Sequence, residues 1–360
     1  MSEQTSVDQA ASSESAASLR LSVVIPARNE ARWLPACLQS LLSQSDRGFA
    51  LGQQWELIVV DDDSSDATGD LAREVAAVHP GVTVLAAPPL GPSERAGITG
   101  KNNACWAGAQ QARGAWLLFT DADTVHEPGD LSRALHEAEK YKAALLSYSP
   151  RQIVIGFWQH ALMPLVFSEL ATVYPPKQVS NPASPVAAAN GQFLLIRRDV
   201  YFELGGHRLV GKQVLEDVAL ARAVKRGNHT IRFRYAPEAL STRMYANTGE
   251  MIEGWTKNLR LLFPRPLFLA AMRMLEFLLF FFLPLTALAF PGLLSWQQAA
   301  ILLVWLRACW GFYHRALRAH FPAADTAISI LAVPLFAWLL VRSATSRTVE
   351  WKGRRYSNFS

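Results

Sequence analysis

The sequence has few cysteines and no recognisable export signal. Three cysteines occur among 360 residues, Cys37, Cys105 and Cys309, and they are far apart and odd in number. This pattern excludes a disulfide framework and a zinc knuckle, and it predicts reduced thiols. Residues 1–20 are rich in Ser, Ala and Glu, without a basic start or an apolar core. They are predicted to be a disordered tail and not a secretory signal, so we expect the folded part to stay in the cytoplasm.

The N-terminal part also lacks a basic stripe interleaved with aromatic residues, which argues against nucleic acid as a partner. The net charge of +5 is a mild excess. Basic residues gather around the apolar C-terminal third, at positions such as Lys257, Arg273 and Arg342. This placement favours the anionic face of a membrane.

Charge is absent from one long stretch of the C-terminal third. Residues 277–294 contain no charged side chain, and their number meets the length of a membrane helix. Two shorter apolar runs, 296–306 and 327–341, are weaker candidates, and buried helices of a soluble domain are the alternative. We therefore expect a multi-pass protein of the cell membrane with a cytoplasmic catalytic domain. The predicted segments are a disordered tail, a globular domain, transmembrane helices and a basic cytoplasmic tail, at residues 1–20, 21–262, 263–342 and 343–360.

Short apolar runs alternate with helix-like stretches over the first half of the chain. Four runs rich in β-branched or aromatic residues are predicted to be buried strands, at residues 21–26, 56–60, 82–85 and 115–119. The stretches that follow them have helical patterns, at residues 31–43, 67–78, 104–113 and 130–141. This alternation predicts an α/β fold with a mostly parallel, Rossmann-like sheet.

Acidic residues follow two of these strands directly. Asp61, Asp62 and Asp63 follow the second strand, and Asp121-Ala122-Asp123 follows the fourth. Open α/β sheets bind ligands beyond the carboxyl ends of their strands, and alternate side chains of an extended chain share a face. Asp121 and Asp123 are therefore predicted to hold Mg²⁺ or Mn²⁺, which prefer oxygen ligands. Such a metal would neutralise the diphosphate that leaves when a sugar is transferred from a nucleotide.

Three further features are candidates for binding or catalysis, each with an ordinary structural alternative. Lys101 opens a helix after a Gly/Pro/Ser-rich stretch, which suits a diphosphate but also a solvated lysine. Glu216 and Asp217 could supply a general base, or they could be surface acids. Asp61 and Asp62 could accept hydrogen bonds from a base or ribose, or complement the N-terminus of the next helix.

Together these segments resemble family 2 glycosyltransferases, which have the GT-A fold. The resemblance covers residues 21 to about 235. One departure is Asp63, where the family usually has glycine. The matching segments are Val23-Val24-Ile25-Pro26-Ala27-Arg28-Asn29-Glu30, Val59-Val60-Asp61-Asp62-Asp63-Ser64-Ser65-Asp66-Ala67-Thr68, Gly100-Lys101, Asp121-Ala122-Asp123 and Glu216-Asp217.

The family resemblance implies a transfer that inverts the donor sugar, and it assigns roles to residues. It implies that Lys101 contacts the diphosphate and that Asp121 and Asp123 bind the metal, with Asp121 also on the donor side. Asp217 would be the catalytic base, next to Glu216. The implied nucleoside contacts are Pro26, Ala27, Glu30, Asp61 and Asp62.

Segments beyond residue 200 narrow the resemblance to the glucosyltransferases of carotenoid synthesis. It implies UDP-glucose as donor and an apolar polyene acid as acceptor, with Arg243, Tyr245 and Trp255 on the acceptor side. Trp255 could instead be an interfacial anchor. The matching segments are Gly205-Gly206-His207, Arg243-Met244-Tyr245, Glu253-Gly254-Trp255-Thr256-Lys257 and Val349-Glu350-Trp351-Lys352-Gly353-Arg354-Arg355-Tyr356.

Two other functions stay open from the sequence. A glycosyltransferase acting on a hopanoid, a polyprenyl phosphate or a glycerolipid would need the same residues. A membrane metal phosphohydrolase would also use clustered carboxylates, but commonly with histidine ligands, and His126 is the one histidine near the Asp-x-Asp motif. The partners expected from the leading hypothesis are a UDP-sugar, a lipid acceptor and a membrane.

Overall fold

The computed structural model describes residues 19–44, 46–91, 97–290, 292, 294–346, 348–351 and 354–357. They divide into two compact units. The first contains the described residues of Met1–Ser149, Ala189–Arg232 and Ala236–Leu240, and the second those of Pro150–Ala188, Phe233–Tyr235 and Ser241–Ser360. The units interleave along the chain, and the predicted segments at residues 21–262, 263–342 and 343–360 stay a prediction. The predicted disordered tail lies outside the described residues, apart from residues 19 and 20.

The secondary structure follows the predicted alternation in the first half of the chain. In chain order the strands are β1 (Leu21–Ala27), β2 (Trp55–Asp61), β3 (Val82–Ala86), β4 (Trp116–Phe119), β5 (Thr124–His126), β6 (Leu145–Ser149), β7 (Arg151–Gln152), β8 (Leu194–Arg197), β9 (Ile231–Tyr235), β10 (Leu240–Thr242), β11 (Thr348–Trp351) and β12 (Arg354–Ser357). The α-helices are α1 (Leu34–Leu42), α2 (Thr68–Val78), α3 (Gly100–Gln111), α4 (Asp130–Lys140), α5 (Gly156–Val173), α6 (Pro176–Val179), α7 (Arg198–Glu203), α8 (Gly206–Leu209), α9 (Glu216–Arg226), α10 (Thr248–Leu262), α11 (Pro266–Ala289), α12 (Ser295–Ala316), α13 (Ala323–Ile328) and α14 (Val333–Thr345).

The main sheet has the strand order β3-β2-β1-β4-β8-β6-β9. Strands β1, β2, β3 and β4 are parallel, while β8 is antiparallel to β4 and β6. The parallel strands are apolar because helices cover both faces of such a sheet. Val23, Ile25, Leu57 and Leu118 are accordingly buried in one core. The predicted α/β class is confirmed, with an antiparallel part that the sequence pattern did not indicate.

The strand register brings the carboxyl ends of β1, β2 and β4 to one edge of the sheet. Ala27 pairs with Asp61 between β1 and β2, and Val24 pairs with Phe119 between β1 and β4. Asp121 therefore follows the end of a strand that lies directly beside β1. The acidic residues predicted to meet at this edge come from these ends.

The second unit has its own core, to which helices α5, α10, α12 and α14 contribute. Trp255, Phe263, Phe312 and Phe336 are buried in it. Among the described residues, two segments are long and apolar enough to cross a membrane, Pro266–Thr286 with 6% of its most apolar window buried and Ala323–Thr345 with 56% buried. Length and composition alone do not demonstrate a crossing. The second segment packs into the core and is divided between two α-helices by a 3₁₀ turn, which fits the buried-helix alternative.

The predicted membrane run at 277–294 has different bounds in the structure. Helix α11 begins earlier, at Pro266, and ends at Ala289, and α12 begins at Ser295. The prediction followed the absence of charge, but α11 also contains Arg273 and Glu276, which form an ion pair with an N–O distance of 2.6 Å. Pairing within the second unit lets a charged turn continue an otherwise apolar helix.

Candidate active site

A pocket in the first unit collects many of the residues that the sequence singled out. Pro26, Lys101, Asp121, Glu216 and Asp217 all line it. All five were predicted, from four separate segments of the chain, and the fold brings them together. The other lining residues are Cys105, Phe119, Thr120, Gly191, Leu194 and His207.

Lys101 is the electrostatic centre of this pocket. It lies in the first turn of α3, where the Thr99 side chain accepts a hydrogen bond from the Asn102 backbone at 3.2 Å. Its Nζ atom lies 2.8 Å from Asp121 Oδ1 and 2.8 Å from Glu216 Oε1. Burial opposes its charge, but the two carboxylates outweigh burial and raise the pKa of Lys101 well above its ordinary value. Lys101 is therefore an ion-paired residue of the pocket, unlike the solvated lysine of the alternative.

Asp217 is held by backbone groups at the start of α9. Its Oδ2 accepts a hydrogen bond from Gly191 N at 2.9 Å, and its Oδ1 accepts one from Val218 N at 2.7 Å. Burial, followed by the charge of neighbouring Glu216, raises the pKa of Asp217 from 3.8 to about 7. A carboxylate with a pKa near neutrality is suited to take a proton from an acceptor.

Gly191 is a site residue that the sequence showed only as part of a turn. A Cβ atom at this position would lie 3.2 Å from Lys101 Nζ and 3.4 Å from Glu216 Oε1. It would also lie 3.6 Å from Asp217 Oδ2. The absence of a side chain therefore leaves room for these charged groups.

Gly191→Ala should lower activity far more than stability. The added methyl group is expected to displace the Lys101 ammonium group by a few tenths of an ångström, and a displacement of about 1 Å can cost about 100-fold in rate. We therefore expect a fall in kcat/KM of about 3- to 10-fold with a melting temperature within a few degrees of the parent. Steady-state kinetics and thermal denaturation would measure the two. Unchanged kcat/KM would contradict the crowding argument.

His207 is a second pocket residue whose role the sequence did not indicate. Its Nδ1 lies 2.9 Å from the Tyr201 hydroxyl oxygen, and its ring centroid lies 4.6 Å from that of Phe119. Burial, together with the positive charge of Lys101, lowers the pKa of His207 to about 3, so the imidazole is neutral. The preceding Gly206 has φ 50°, and a Cβ there would lie 2.4 Å from Tyr201 Cζ. Close packing against Tyr201 therefore explains why a glycine precedes His207 in the Gly-Gly-His segment.

The other predicted nucleoside residues lie on the loops that follow β1 and β2. Asp61 Oδ1 accepts a hydrogen bond from Ser64 N at 3.1 Å, while Ala27 and Asp62 are buried. The Glu30 backbone N–H donates to Thr68 Oγ1 at 2.7 Å. None of these four lines the described pocket, so their nucleoside role stays a prediction.

Another acidic residue of this segment bonds the backbone next to the N-terminus of α2. Asp66 precedes the N-cap Ala67 and accepts hydrogen bonds from Thr68 N at 3.0 Å and Ala31 N at 3.1 Å. Asp63 has φ 58°, in the left-handed region. Glycine adopts that conformation without strain and aspartate tolerates it, which explains why the family can have glycine here.

The Asp-x-Asp motif fits a metal that arrives together with a diphosphate. The described part of the chain contains no group of three or more His, Cys, Asp and Glu residues arranged around a metal. Mg²⁺ is usually bound by one or two carboxylates plus substrate phosphates. Asp121 already attracts one cation, the Lys101 ammonium group, at 2.8 Å. Asp121 and Asp123 would therefore hold the metal, with the diphosphate supplying further oxygen ligands.

The predicted acceptor-side residues lie in the second unit. Trp255 is 2% exposed, its Nε1 lies 3.4 Å from Met163 Sδ, and its ring packs on Tyr245 at a centroid distance of 6.2 Å. Direct stacking on an acceptor would require this cluster to open, and an interfacial anchor would need an exposed indole. Arg243 is partly buried. The acceptor-side role of the three residues stays a prediction.

Family comparison identifies the enzyme class. Residues 22–205 match the model of glycosyl transferase family 2. The chain belongs to this family. The predicted class of enzyme, a glycosyltransferase, and the predicted GT-A fold are thereby confirmed.

Curated relatives carry the name 4,4'-diaponeurosporenoate glycosyltransferase, in line with the resemblance to enzymes of carotenoid synthesis. The protein from Staphylococcus haemolyticus (strain JCSC1435) is 31% identical over 66% of this chain and 60% of its own length. The protein from Staphylococcus aureus (strain MRSA252) is 26% identical over the same shares of 66% and 60%. The chain thus spans about 60% of the length of these relatives.

Solved structures of similar fold include two nucleotide-sugar complexes. The mannosyltransferase PcManGT from Pyrobaculum calidifontis, with GDP-Man and Mn²⁺, is 17% identical, with a TM-score of 0.48 over 91% of this chain and 86% of its own. TarS 1–349 of S. aureus, with UDP-GlcNAc, is 15% identical, with a TM-score of 0.43 over 95% of this chain and 97% of its own.

Proposed function

We propose that this glycosyltransferase transfers a hexose, glucose in the first instance, from a UDP-sugar to a lipid acceptor at a membrane, with inversion at the anomeric carbon. The observation that carries this proposal is the pocket in which Lys101 joins Asp121 to Glu216, with Asp217 beside them. It combines a cationic group for a diphosphate with a carboxylate for an acceptor. The names of the curated relatives support a carotenoid acid as acceptor.

The residues of the pocket divide the chemistry between leaving group and nucleophile. The acceptor oxygen attacks the anomeric carbon as the bond from that carbon to the nucleoside diphosphate breaks, and the electron pair leaves with the diphosphate. Lys101 lies where it can meet that negative charge. Bound at Asp121 and Asp123, Mg²⁺ or Mn²⁺ would add charge neutralisation. Asp217 accepts the proton when the acceptor is a hydroxyl group.

The alternative acceptors, a hopanoid, a polyprenyl phosphate or a glycerolipid, would use the same pocket. A metal phosphohydrolase would commonly use a histidine as a metal ligand, and the candidate for that role is His126. His126 is buried, with Nδ1 2.8 Å from Asp130 Oδ2 and Nε2 3.1 Å from Thr120 Oγ1. Both ring nitrogens of His126 are therefore engaged in the core of the first unit.

The location predicted from the sequence is part of this proposal. A lipid acceptor requires access to a membrane, and the three cysteines without disulfide partners fit a catalytic unit on the cytoplasmic side. Multi-pass insertion stays a prediction.

The proposal is tested by assaying the full chain in a membrane fraction with Mn²⁺ or Mg²⁺ and a panel of UDP- and GDP-sugars. The acceptors are a polyene carboxylic acid, a hopanoid alcohol, a polyprenyl phosphate and a diacylglycerol. We expect metal-dependent transfer from UDP-glucose to the acid, giving a base-labile ester. If no donor gives either lipid glycosylation or metal-dependent hydrolysis, the proposed function is wrong.

A further inference from the structure

Helices α11 and α12 form an antiparallel pair in the second unit. Trp305 Nε1 on α12 donates a hydrogen bond to the Phe280 carbonyl oxygen on α11 at 2.9 Å. Further from the turn between the helices, Arg315 Nη2 lies 2.5 Å from Glu276 Oε2. These two contacts fix which turns of the helices face each other. If one helix leaves water for an apolar environment, the other must therefore go with it.

The part of this pair nearest the turn is apolar and faces outward. Residues 277–306 contain no Asp, Glu, Lys, Arg or His. Phe282 and Leu285 on α11 are more than half exposed, as are Trp296 and Leu303 on α12. An exposed apolar surface of this kind marks contact with a membrane or another protein.

The charges around the apolar part favour a membrane. Between residues 254 and 346 the acidic residues are Glu276 and Asp325. Glu276 is paired with Arg273 and Arg315, and Asp325 lies 2.9 Å from His160. The exposed charged residues of this stretch are therefore basic, namely Arg265, Arg307, Arg318 and Arg342. Anionic lipid headgroups complement such a surface.

The length of the charge-free part sets how deep the pair can enter. Arg307 is exposed on α12, and the helix from Ser295 to Leu306 measures about 18 Å at 1.5 Å per residue. The hydrocarbon core of a bilayer is about 30 Å thick. A full crossing would put Arg307 near the middle of that core, at a cost of roughly 2.5–3.5 kcal/mol or more.

We propose that the pair α11–α12 inserts into one leaflet of an anionic phospholipid bilayer and does not cross it. The charge-free turns then lie among the acyl chains, and Arg307 reaches the headgroups through its flexible side chain. The Glu276–Arg315 ion pair lies at or outside the membrane surface. This inference refines the membrane association proposed above and replaces, for this pair, the multi-pass insertion predicted from the sequence. It does not depend on the sugar or the acceptor.

The depth of insertion is measured with a fluorophore near the turn. Ser295→Cys in a Cys309→Ser background is labelled with an environment-sensitive dye, since Cys37 and Cys105 are buried. The full chain is then added to phosphatidylglycerol-containing vesicles. We expect a blue-shifted emission that is quenched by nitroxides on lipid acyl chains and not by iodide trapped inside the vesicles.

Two other outcomes would overturn the proposal. Quenching by the trapped iodide would show that the turn reaches the far side and that the pair crosses. Emission that does not change on adding vesicles, together with a dimeric mass in solution, would show that the apolar surface binds a second copy of the chain.

Matched variants test the same surface by vesicle flotation. Leu303→Glu should lower the partition into anionic vesicles by at least about 10-fold, because it places a charge among the acyl chains. Val78→Glu is the control, since Val78 on α2 is 72% exposed and Leu303 is 67% exposed. Arg307→Glu should weaken binding to anionic vesicles more than to neutral ones.

Equal flotation of Leu303→Glu and Val78→Glu would contradict insertion of α12. Metal-dependent hydrolysis of UDP-glucose is measured on the same variants in detergent. The rate of this hydrolysis should be unchanged in the variants, because the donor pocket lies in the first unit. The hydrolysis assay therefore separates a failure of the membrane proposal from a failure of the proposed function.

Discussion

Asp121→Ala should lower kcat/KM for the UDP-sugar by about 1,000-fold or more. Asp121 is one of two predicted metal ligands, and it also holds the Lys101 ammonium group at 2.8 Å. The charge stabilisation supplied to a leaving diphosphate is worth several kcal/mol, and each 1.4 kcal/mol is about tenfold in rate. Removing this carboxylate affects both cationic groups expected at the leaving group, so we expect the largest single loss here.

A direct binding measurement separates this role from a general disturbance of the pocket. Mn²⁺ binding in the presence of UDP, followed by electron paramagnetic resonance, should be lost in Asp121→Ala and in Asp123→Ala. The melting temperature should change little, because Lys101 keeps its contact with Glu216 Oε1 at 2.8 Å.

The control for Asp121→Ala is another aspartate whose cationic partner lies on the surface. Asp70 Oδ1 lies 2.7 Å from Arg73 in an exposed pair on α2, and such pairs contribute little. Asp70→Ala should leave kinetics and metal binding within about twofold of the parent. An Asp121→Ala variant that keeps more than a tenth of the parent kcat/KM would show that the metal is held elsewhere.

The site residues that could be predicted from the sequence pattern are those that directly follow the ends of strands. Apolar runs marked β1, β2 and β4, and polar residues that follow parallel strands must meet at one edge of the sheet. That argument placed Asp121 at the edge of the sheet where the pocket lies, without any knowledge of the tertiary structure. It could not show that Lys101 and Glu216 meet Asp121, because helices α3 and α9 reach the pocket through loops whose course the sequence pattern does not determine.

Gly191 and the α11–α12 pair show what the sequence pattern could not supply. The role of Gly191 is the absence of a Cβ between three charged groups, and a turn sequence has no signal for that. In the sequence the predicted membrane run began only after the charged residues Arg273 and Glu276. In the structure the helix includes both, because each forms ion pairs within the second unit. In both cases some of the deciding contacts join residues far apart in the chain, Gly191 with Lys101 and Glu276 with Arg315.

The pH dependence of the reaction should report the protonation of Asp217. Its pKa is raised from 3.8 to about 7 by burial and by Glu216. With a hydroxyl acceptor Asp217 must be ionised, so kcat/KM should fall about tenfold per pH unit below about 7. A carboxylic acid acceptor has an intrinsic pKa of about 4–5 and is already ionised at neutral pH. For that acceptor we expect a flat profile down to about pH 5.

Asp217→Asn should therefore separate the two classes of acceptor. A general base contributes about 100- to 10,000-fold, so the variant should lose that much with a polyene alcohol. With the matching polyene acid the loss should be much smaller than that of Asp121→Ala, because the acid needs positioning and not deprotonation. Equal losses for Asp217→Asn and Asp121→Ala on the acid would exclude a carboxylate acceptor.

Stability measurements on the same variant test whether Asp217 acts in the reaction or only in the fold. Because its folded-state pKa is raised, the stability associated with protonated Asp217 is fully present below pH 3.8 and is lost as the pH rises through about 7. The amide that replaces the carboxylate does not titrate, but it puts a donor in place of one of the two oxygens that accept backbone hydrogen bonds. Asp217→Asn should therefore lose the fall in the free energy of unfolding that the parent shows between pH 4 and pH 8, whatever its absolute stability. A variant that stays folded at pH 8, with this pH dependence removed, yet is inactive on the alcohol identifies Asp217 as the base.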